Sequence, residues 1–346
     1  MKMAPAEAAM TVPSGILPLP SLPIIDLSPL SHPVSGNADA DLSRSKCGEA
    51  IRNALSNHGF MYVTGHGVPS YEMDRVIGSM KSFFDANQLV KRTCEACRSP
   101  LYRGYNGLDG KHSCNNEDGS GPDVKESFTV GTERSESDDR KSSPMHGPNQ
   151  WPSEEDLPGW KQSIEEYWQN MTHVSILVMR GMALALGVDE DFFLSRNDDT
   201  VSQLVMIRYP PLPKGVARNG GRCGEHTDCG FLTILHQDRP GLEVMSGGKF
   251  IQADPIPGAF VVNLGDMCAQ WTNNIFKSTL HRVNPAVDSD VSRHSVPFFI
   301  NCNWDCIVDY RDILREKGNE EGGEFALPVK AGPYMLQKLG LMWLDK

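Results

Sequence analysis

The sequence predicts an α+β chain with a mainly β core: helices and isolated strands first, a β-sandwich or barrel second, a closing helix last. Three patterns lead there. Apolar residues recur at helical spacing through 40–58, 70–90 and 160–186. After residue 200 the period shortens to that of strands, in runs such as "SQLVMIRYP", "FLTILHQ", "AFVVNLG" and "SVPFFIN". Gly, Pro, Asn and Asp separate these runs at intervals of roughly ten residues, the spacing of all-β sandwiches and barrels.

In chain order, residues 1–22 are rich in Ala and Pro and are expected to be a disordered extension. They lack a basic start followed by an apolar core, so a secretory signal is not expected. "PIIDLSPL" at 23–30 reads as a short strand ending in a turn. Leu42, Cys47, Ile51, Ala54 and Leu55 place a helix over 40–58, and "GFMYVTGHGV" reads as a buried strand closed by glycines. Met73, Val76, Ile77, Met80, Phe83 and Phe84 share one face of a second helix. Residues 106–150 are polar and turn-rich and read as a long loop carrying one ordered piece, "VKESFTV". His112 and His146 within it are expected at the surface. Ile164, Trp168, Met171, Val178 and Met182 form the stripe of a helix that Gly187 stops. "GPYMLQKLGLMWL" reads as the closing helix. The resulting division is 23–190 for the helical and strand region and 191–346 for the β region with its helix.

The net charge of −11 argues against a general nucleic-acid binder, which would show a basic face. No run approaches the ~20 apolar residues that a membrane span needs. The nine cysteines are odd in number and dispersed, and read as reduced thiols in a cytoplasmic protein. Cys94 and Cys97 form a CxxC with no second pair or clustered histidines to complete a zinc site.

The chemistry concentrates in "GEHTDCGFLTIL". On an extended strand residues i and i+2 point to one side, so His226 and Asp228 aim at one point. His281, in "STLHRVNP", lies on a later strand that a barrel can bring opposite. Two histidines and one carboxylate with open positions form the ligand set of non-haem Fe(II) oxygenases. Arg293 and Ser295, in "SRHSVPFF", again lie two apart. An arginine in a β core needs an anion, and no acidic residue stands nearby in that run. A ligand carboxylate gripped by the guanidinium fits, with Ser295 and Tyr209 as further donors.

Together, "HTD" at 226–228, His281 and the Arg-x-Ser of 293–295 resemble the Fe(II)/2-oxoglutarate-dependent dioxygenases, in the branch that includes plant-type enzymes and isopenicillin N synthase. "PIIDLS", "GFMYVTGHGV", "YRGY", "VKESF", "RYPP" and "GLEV" extend the similarity from Pro23 to the final helix. The resemblance implies a double-stranded β-helix (jelly-roll) core. It implies His226, Asp228 and His281 as catalytic iron ligands, and Arg293, Ser295 and Tyr209 as the grip on 2-oxoglutarate. Fe(II), 2-oxoglutarate and O2 are the implied cofactors, and a small molecule of specialised metabolism, oxidised by a monomeric enzyme, is the implied partner. Hydroxylation, desaturation and ring closure all stay open. Arg103, Tyr105 and Phe128 are substrate candidates by analogy. Phe231, Leu264 and Phe299 are candidate walls.

The chain departs from the plant pattern at "IRYP", where Asn-x-Tyr-Pro is usual. A ring-closing oxidase like isopenicillin N synthase, which uses no 2-oxoglutarate, is therefore an alternative. A catalytically inactive binding protein on the same fold is another. A zinc hydrolase would need a general base that the sequence does not offer.

Overall fold

The computed structural model describes residues 22–32, 37–108, 124–135, 138, 143–211, 222–284, 290–318 and 325–340. Most of the N-terminal extension, His112 and much of the long loop lie outside the described residues. Leu22, counted with the extension, is buried between the sheets.

The first half runs β1 (Ile24–Asp26), α1 (Ala38–Asn57), β2 (Phe60–Thr64), α2 (Ser70–Phe84), α3 (Gln88–Thr93), β3 (Gly104–Asn106), β4 (Glu126–Gly131) and α4 (Trp160–Leu186). Asn37 caps α1 by accepting the Asp39 N–H, and Gly187, at φ +69°, ends α4 in the left-handed conformation that glycine adopts without steric cost. The second half runs β5 (Gln203–Tyr209), β6 (Cys223–His226), β7 (Leu232–Gln237), β8 (Leu242–Ser246), β9 (Lys249–Gln252) and β10 (Phe260–Leu264). It continues with α5 (Asp266–Trp271), β11 (His281–Val283), β12 (Arg293–Ile300), β13 (Ile307–Val308), α6 (Tyr310–Glu316), β14 (Val329–Lys330) and α7 (Ala331–Lys338).

Eight strands form the large sheet, in the order β1-β2-β10-β7-β12-β5-β4-β3. β6-β11-β8-β9 form a second sheet facing it. The four central strands of the large sheet and the four of the small one make the jelly roll. β1 to β4 widen the large sheet, so its hydrogen bonds cross the 190/191 line drawn from composition: β2 pairs with β10 and β4 with β5.

Alternation gives the large sheet two different faces. Ile234, Val262, Val296 and Phe298 face α1, α2 and α4 and join the main apolar core. Tyr62, Leu235 and Val261 face the small sheet and meet Val244 and Ile251 in a second core. Phe83 of α2 is fully buried and packs against Phe84, Tyr105, Phe128 and Trp160. Phe83→Ala is expected to lower stability by about 3–5 kcal/mol, read as a fall in the urea midpoint at unchanged m-value.

Two expectations change. His146 is buried, with its Nε2 on the Thr200 carbonyl at 3.1 Å, because residues 143–150 fold back against β4 and the segment before β5. β6 ends at His226, so Asp228 lies beyond the strand.

Candidate functional site

His226 and His281 sit directly opposite one another where β6 pairs with β11. Cross-strand partners project to the same face, and the two imidazole centroids are 4.3 Å apart. Asp228 reaches the pair from the loop after β6, its Oδ1 3.9 Å from His226 Nε2 and 3.8 Å from His281 Nε2. Ligand atoms of all three lie within 4.8 Å of one another.

That loop is held tightly enough that glycine is needed beside it. The Asp266 N–H donates to the Asp228 carbonyl at 2.7 Å. A Cβ on Gly265 would fall 2.2 Å from the Gly230 carbonyl oxygen and 2.8 Å from that of Asp228. The close approach brings the carboxylate back to the histidines after the strand has ended.

The surrounding hydrogen bonds orient each ligand. His226 Nδ1 is 2.8 Å from the Gly224 carbonyl and His281 Nδ1 is 3.0 Å from that of Thr279. A carbonyl only accepts, so Nδ1 carries the proton and each Nε2 lone pair is left for a metal. Asp228 Oδ2 accepts from Thr233 Oγ1 and Asn263 Nδ2, both at 2.7 Å, which leaves Oδ1 for the same point. Burial pulls the His226 imidazole down, but the Cys223 thiol, the Gly224 carbonyl and the Asp228 carboxylate outweigh it and hold the metal-free pKa up at about 9. Burial pulls His281 below the usual range, with Asp228 opposing. A cation entering here displaces a proton, so metal affinity falls as pH falls. Asn263→Ala and Thr233→Val each leave the carboxylate short of a donor. Each is expected to weaken Fe(II) affinity by about 10–100-fold, read by anaerobic titration.

The arginine clamp lies on β12, on the same inner face. Arg293 is buried beside Tyr209, its cross-strand partner, with the guanidinium carbon 5.2 Å from the tyrosine ring centroid. Its Nη2 donates to Gln237 Oε1 at 2.6 Å and its Nε to the Arg239 carbonyl at 3.2 Å. Its Nη1 is buried with no hydrogen-bond partner among the described residues. Burial pulls the guanidinium below its usual range, with Tyr209 and Asp238 opposing. A buried cation with an unused donor fits a carboxylate ligand. Ser295, also buried, follows two residues later on the same face. His294 alternates to the other face and pairs with Asp238 at 2.9 Å.

The substrate candidates do not gather at this site, with one exception. Arg103 is buried and donates to the carbonyls of Thr132, Gly147 and Met145 and to Asn149 Oδ1, tying the 143–149 segment to β4. Tyr105 donates to the buried Glu126 at 2.7 Å and lines a cavity of about 440 Å³ with Lys91 and Arg208, away from the triad. Phe128 is fully buried in the helix-side core. Phe231 packs between Phe193 and Trp271, and Leu264 also faces the helices. These five therefore stabilise the fold. Phe299 is the exception. It is half-buried on the inner face, opposite the Thr233 that holds Asp228.

The inner face of β4 and β5 was missed. Ser127, Thr129, Gln203, Val205 and Ile207 are all half-buried there, while the residues between them, except Arg208 at the strand's end, are buried against the helices. Register joins them to the clamp and the metal loop: Ser295 stands opposite Ile207, which stands opposite Ser127, and Phe299 stands opposite Gln203. The alternation in "KESFTVG" carried the signal, but nothing in the sequence said which parity faced inward.

Comparison with known proteins agrees with this geometry. Residues 22–154 match a family model described as non-haem dioxygenase in morphine synthesis, N-terminal, and residues 201–301 match the 2OG-Fe(II) oxygenase superfamily. A homoarginine-6-hydroxylase of Arabidopsis thaliana is 32% identical over 331 residues, 92% of this chain and 96% of the relative. A 2-oxoglutarate-Fe(II) type oxidoreductase of Aspergillus fumigatus is 32% identical, covering 78% of this chain and 80% of the relative. A Neurospora crassa protein crystallised with alpha-ketoglutarate superposes with a TM-score of 0.76 at 28% identity, over 93% of this chain and 96% of that one.

Proposed function

The chain belongs to the 2OG-Fe(II) oxygenase superfamily, and from that membership we propose that His226, Asp228 and His281 hold its iron while Arg293, Ser295 and Tyr209 hold 2-oxoglutarate. It is a 2-oxoglutarate-dependent dioxygenase that uses Fe(II) and O2. When bound, the iron couples oxidative decarboxylation of 2-oxoglutarate, to succinate and CO2, with oxidation of a substrate C–H bond.

The observation that carries the assignment is the convergence of two Nε2 atoms and one carboxylate oxygen, each oriented by its own hydrogen bonds. The protein's part in catalysis is to bind and orient. Thr233 and Asn263 fix the Asp228 carboxylate; the Gly224 and Thr279 carbonyls fix the imidazoles. Arg293 neutralises the far carboxylate of the co-substrate in a setting that excludes water. Two nitrogens and one oxygen, without thiolates, suit a borderline cation with redox chemistry.

We read the substrate as a small molecule of specialised metabolism and hydroxylation as the default outcome, with desaturation or ring closure as variants of the same C–H oxidation. The 2-oxoglutarate-dependent relatives and the neighbour crystallised with alpha-ketoglutarate support 2-oxoglutarate dependence over a ring-closing oxidase that dispenses with it. No helix among the described residues is long and apolar enough to cross a membrane. The eight described cysteines are free thiols, which supports our reading of a cytoplasmic enzyme. We read it as a monomer. The test is succinate release against a metabolite panel: turnover should require both Fe(II) and 2-oxoglutarate. Oxygen uptake that proceeds without 2-oxoglutarate would overturn the reading.

A further inference from the structure

The inner face beside the metal ligands has a definite chemistry. Ser127, Thr129 and Gln203 are half-buried polar residues there, and none makes a side-chain hydrogen bond to another described residue. Val205, Ile207 and Phe299 lie among them and give it an apolar part. No carboxylate stands on this surface among the described residues of β3, β4, β5 and β12. Glu126 turns to the opposite face, where Lys91, Tyr105 and Arg208 surround it. Asp228 belongs to the metal ligands. Lys125 closes one end, its Nζ 3.9 Å from Cys223 Sγ, a thiol that is itself 3.9 Å from His226 Nδ1.

A cationic group laid on this face would lose water and gain only amide and hydroxyl dipoles. A neutral group with donors and acceptors would regain its hydrogen bonds from Thr129 and Gln203. We propose that the group of the substrate held beside the iron is uncharged and hydrogen-bonding, with an apolar flank, and that Gln203 and Thr129 set this preference against ammonium and guanidinium groups. The proposal rests on the reading of the metal site given above.

The test compares butylurea with butylguanidinium, which match in shape and differ in charge. Calorimetry is done on anaerobic protein loaded with Fe(II) and 2-oxoglutarate. Wild-type protein is expected to bind the urea at least about tenfold more tightly than the guanidinium, since one unpaired charge costs more than the ~1.4 kcal/mol that a factor of ten represents. Gln203→Glu is expected to reverse the order, and Thr129→Glu does the same if the first variant does not fold. Equal binding of the two probes, binding of neither, preference of wild-type protein for the guanidinium, or no reversal in a folded variant overturns the proposal. Loss of Fe(II) or 2-oxoglutarate binding in the wild-type protein would instead count against the metal-site reading, so the two failures are distinct.

Discussion

Asp228→Ala protein is expected to stay folded, to lose Fe(II) binding, and to show no turnover above background. The carboxylate supplies the one negative charge among the three ligands. It also joins the loop after β6 to β7 and β10 through Thr233 and Asn263. Without it only the two imidazoles remain as ligands, and two polar groups lose their acceptor. The stability cost of those orphaned donors is about 1–3 kcal/mol, small beside the effect on the metal. Circular dichroism and a denaturant midpoint separate the two: secondary structure should persist while anaerobic Fe(II) titration gives no saturable site. Undiminished metal affinity in this variant would remove Asp228 from the ligand set.

Arg293→Ala is expected to raise the KM for 2-oxoglutarate by about a hundredfold or more, with a smaller change in kcat. The guanidinium is fully buried, and its interaction with a carboxylate is therefore charge-assisted and poorly screened, worth about 2–5 kcal/mol on truncation. It sits on the inner face and does not touch the ligand atoms, so its loss removes binding shared by ground and transition states. Arg293→Lys keeps the charge but not the fork and should fall between the two. An unchanged KM in a folded Arg293→Ala protein would mean that the co-substrate carboxylate is held elsewhere.

Those two sites were legible because their residues announce themselves. An arginine in a β-core run that offers no carboxylate stands out, and two histidines with an aspartate at strand spacing define one point even though Asp228 proved to lie past the strand end. The helix spans were legible for a related reason: a stripe such as Ile164 to Met182 fixes both period and facing. The proposed substrate surface was not legible. Phe128 and Thr129 differ by one position in a strand, and a one-residue change of parity moves a side chain from the metal side of the sheet to the helix side. Analogy pointed to Tyr105 and Phe128, and an apolar wall was expected at Phe231, but all three build the helix-side core. Small polar residues on the other parity carry little signal until register places them beside Phe299. Arg103, also a candidate by analogy, spends its donors on the Gly147 and Met145 carbonyls.

The central claim is that one point between β6 and β11 binds iron and that the β12 arginine presents 2-oxoglutarate to it. Anaerobic addition of Fe(II) and then 2-oxoglutarate, followed through the visible metal-to-ligand absorption, tests both at once. A stoichiometric band is expected that appears only with both present, disappears in Asp228→Ala, and in Arg293→Ala requires far more 2-oxoglutarate. A band of full intensity in Asp228→Ala protein, or none in the wild-type chain, would contradict it.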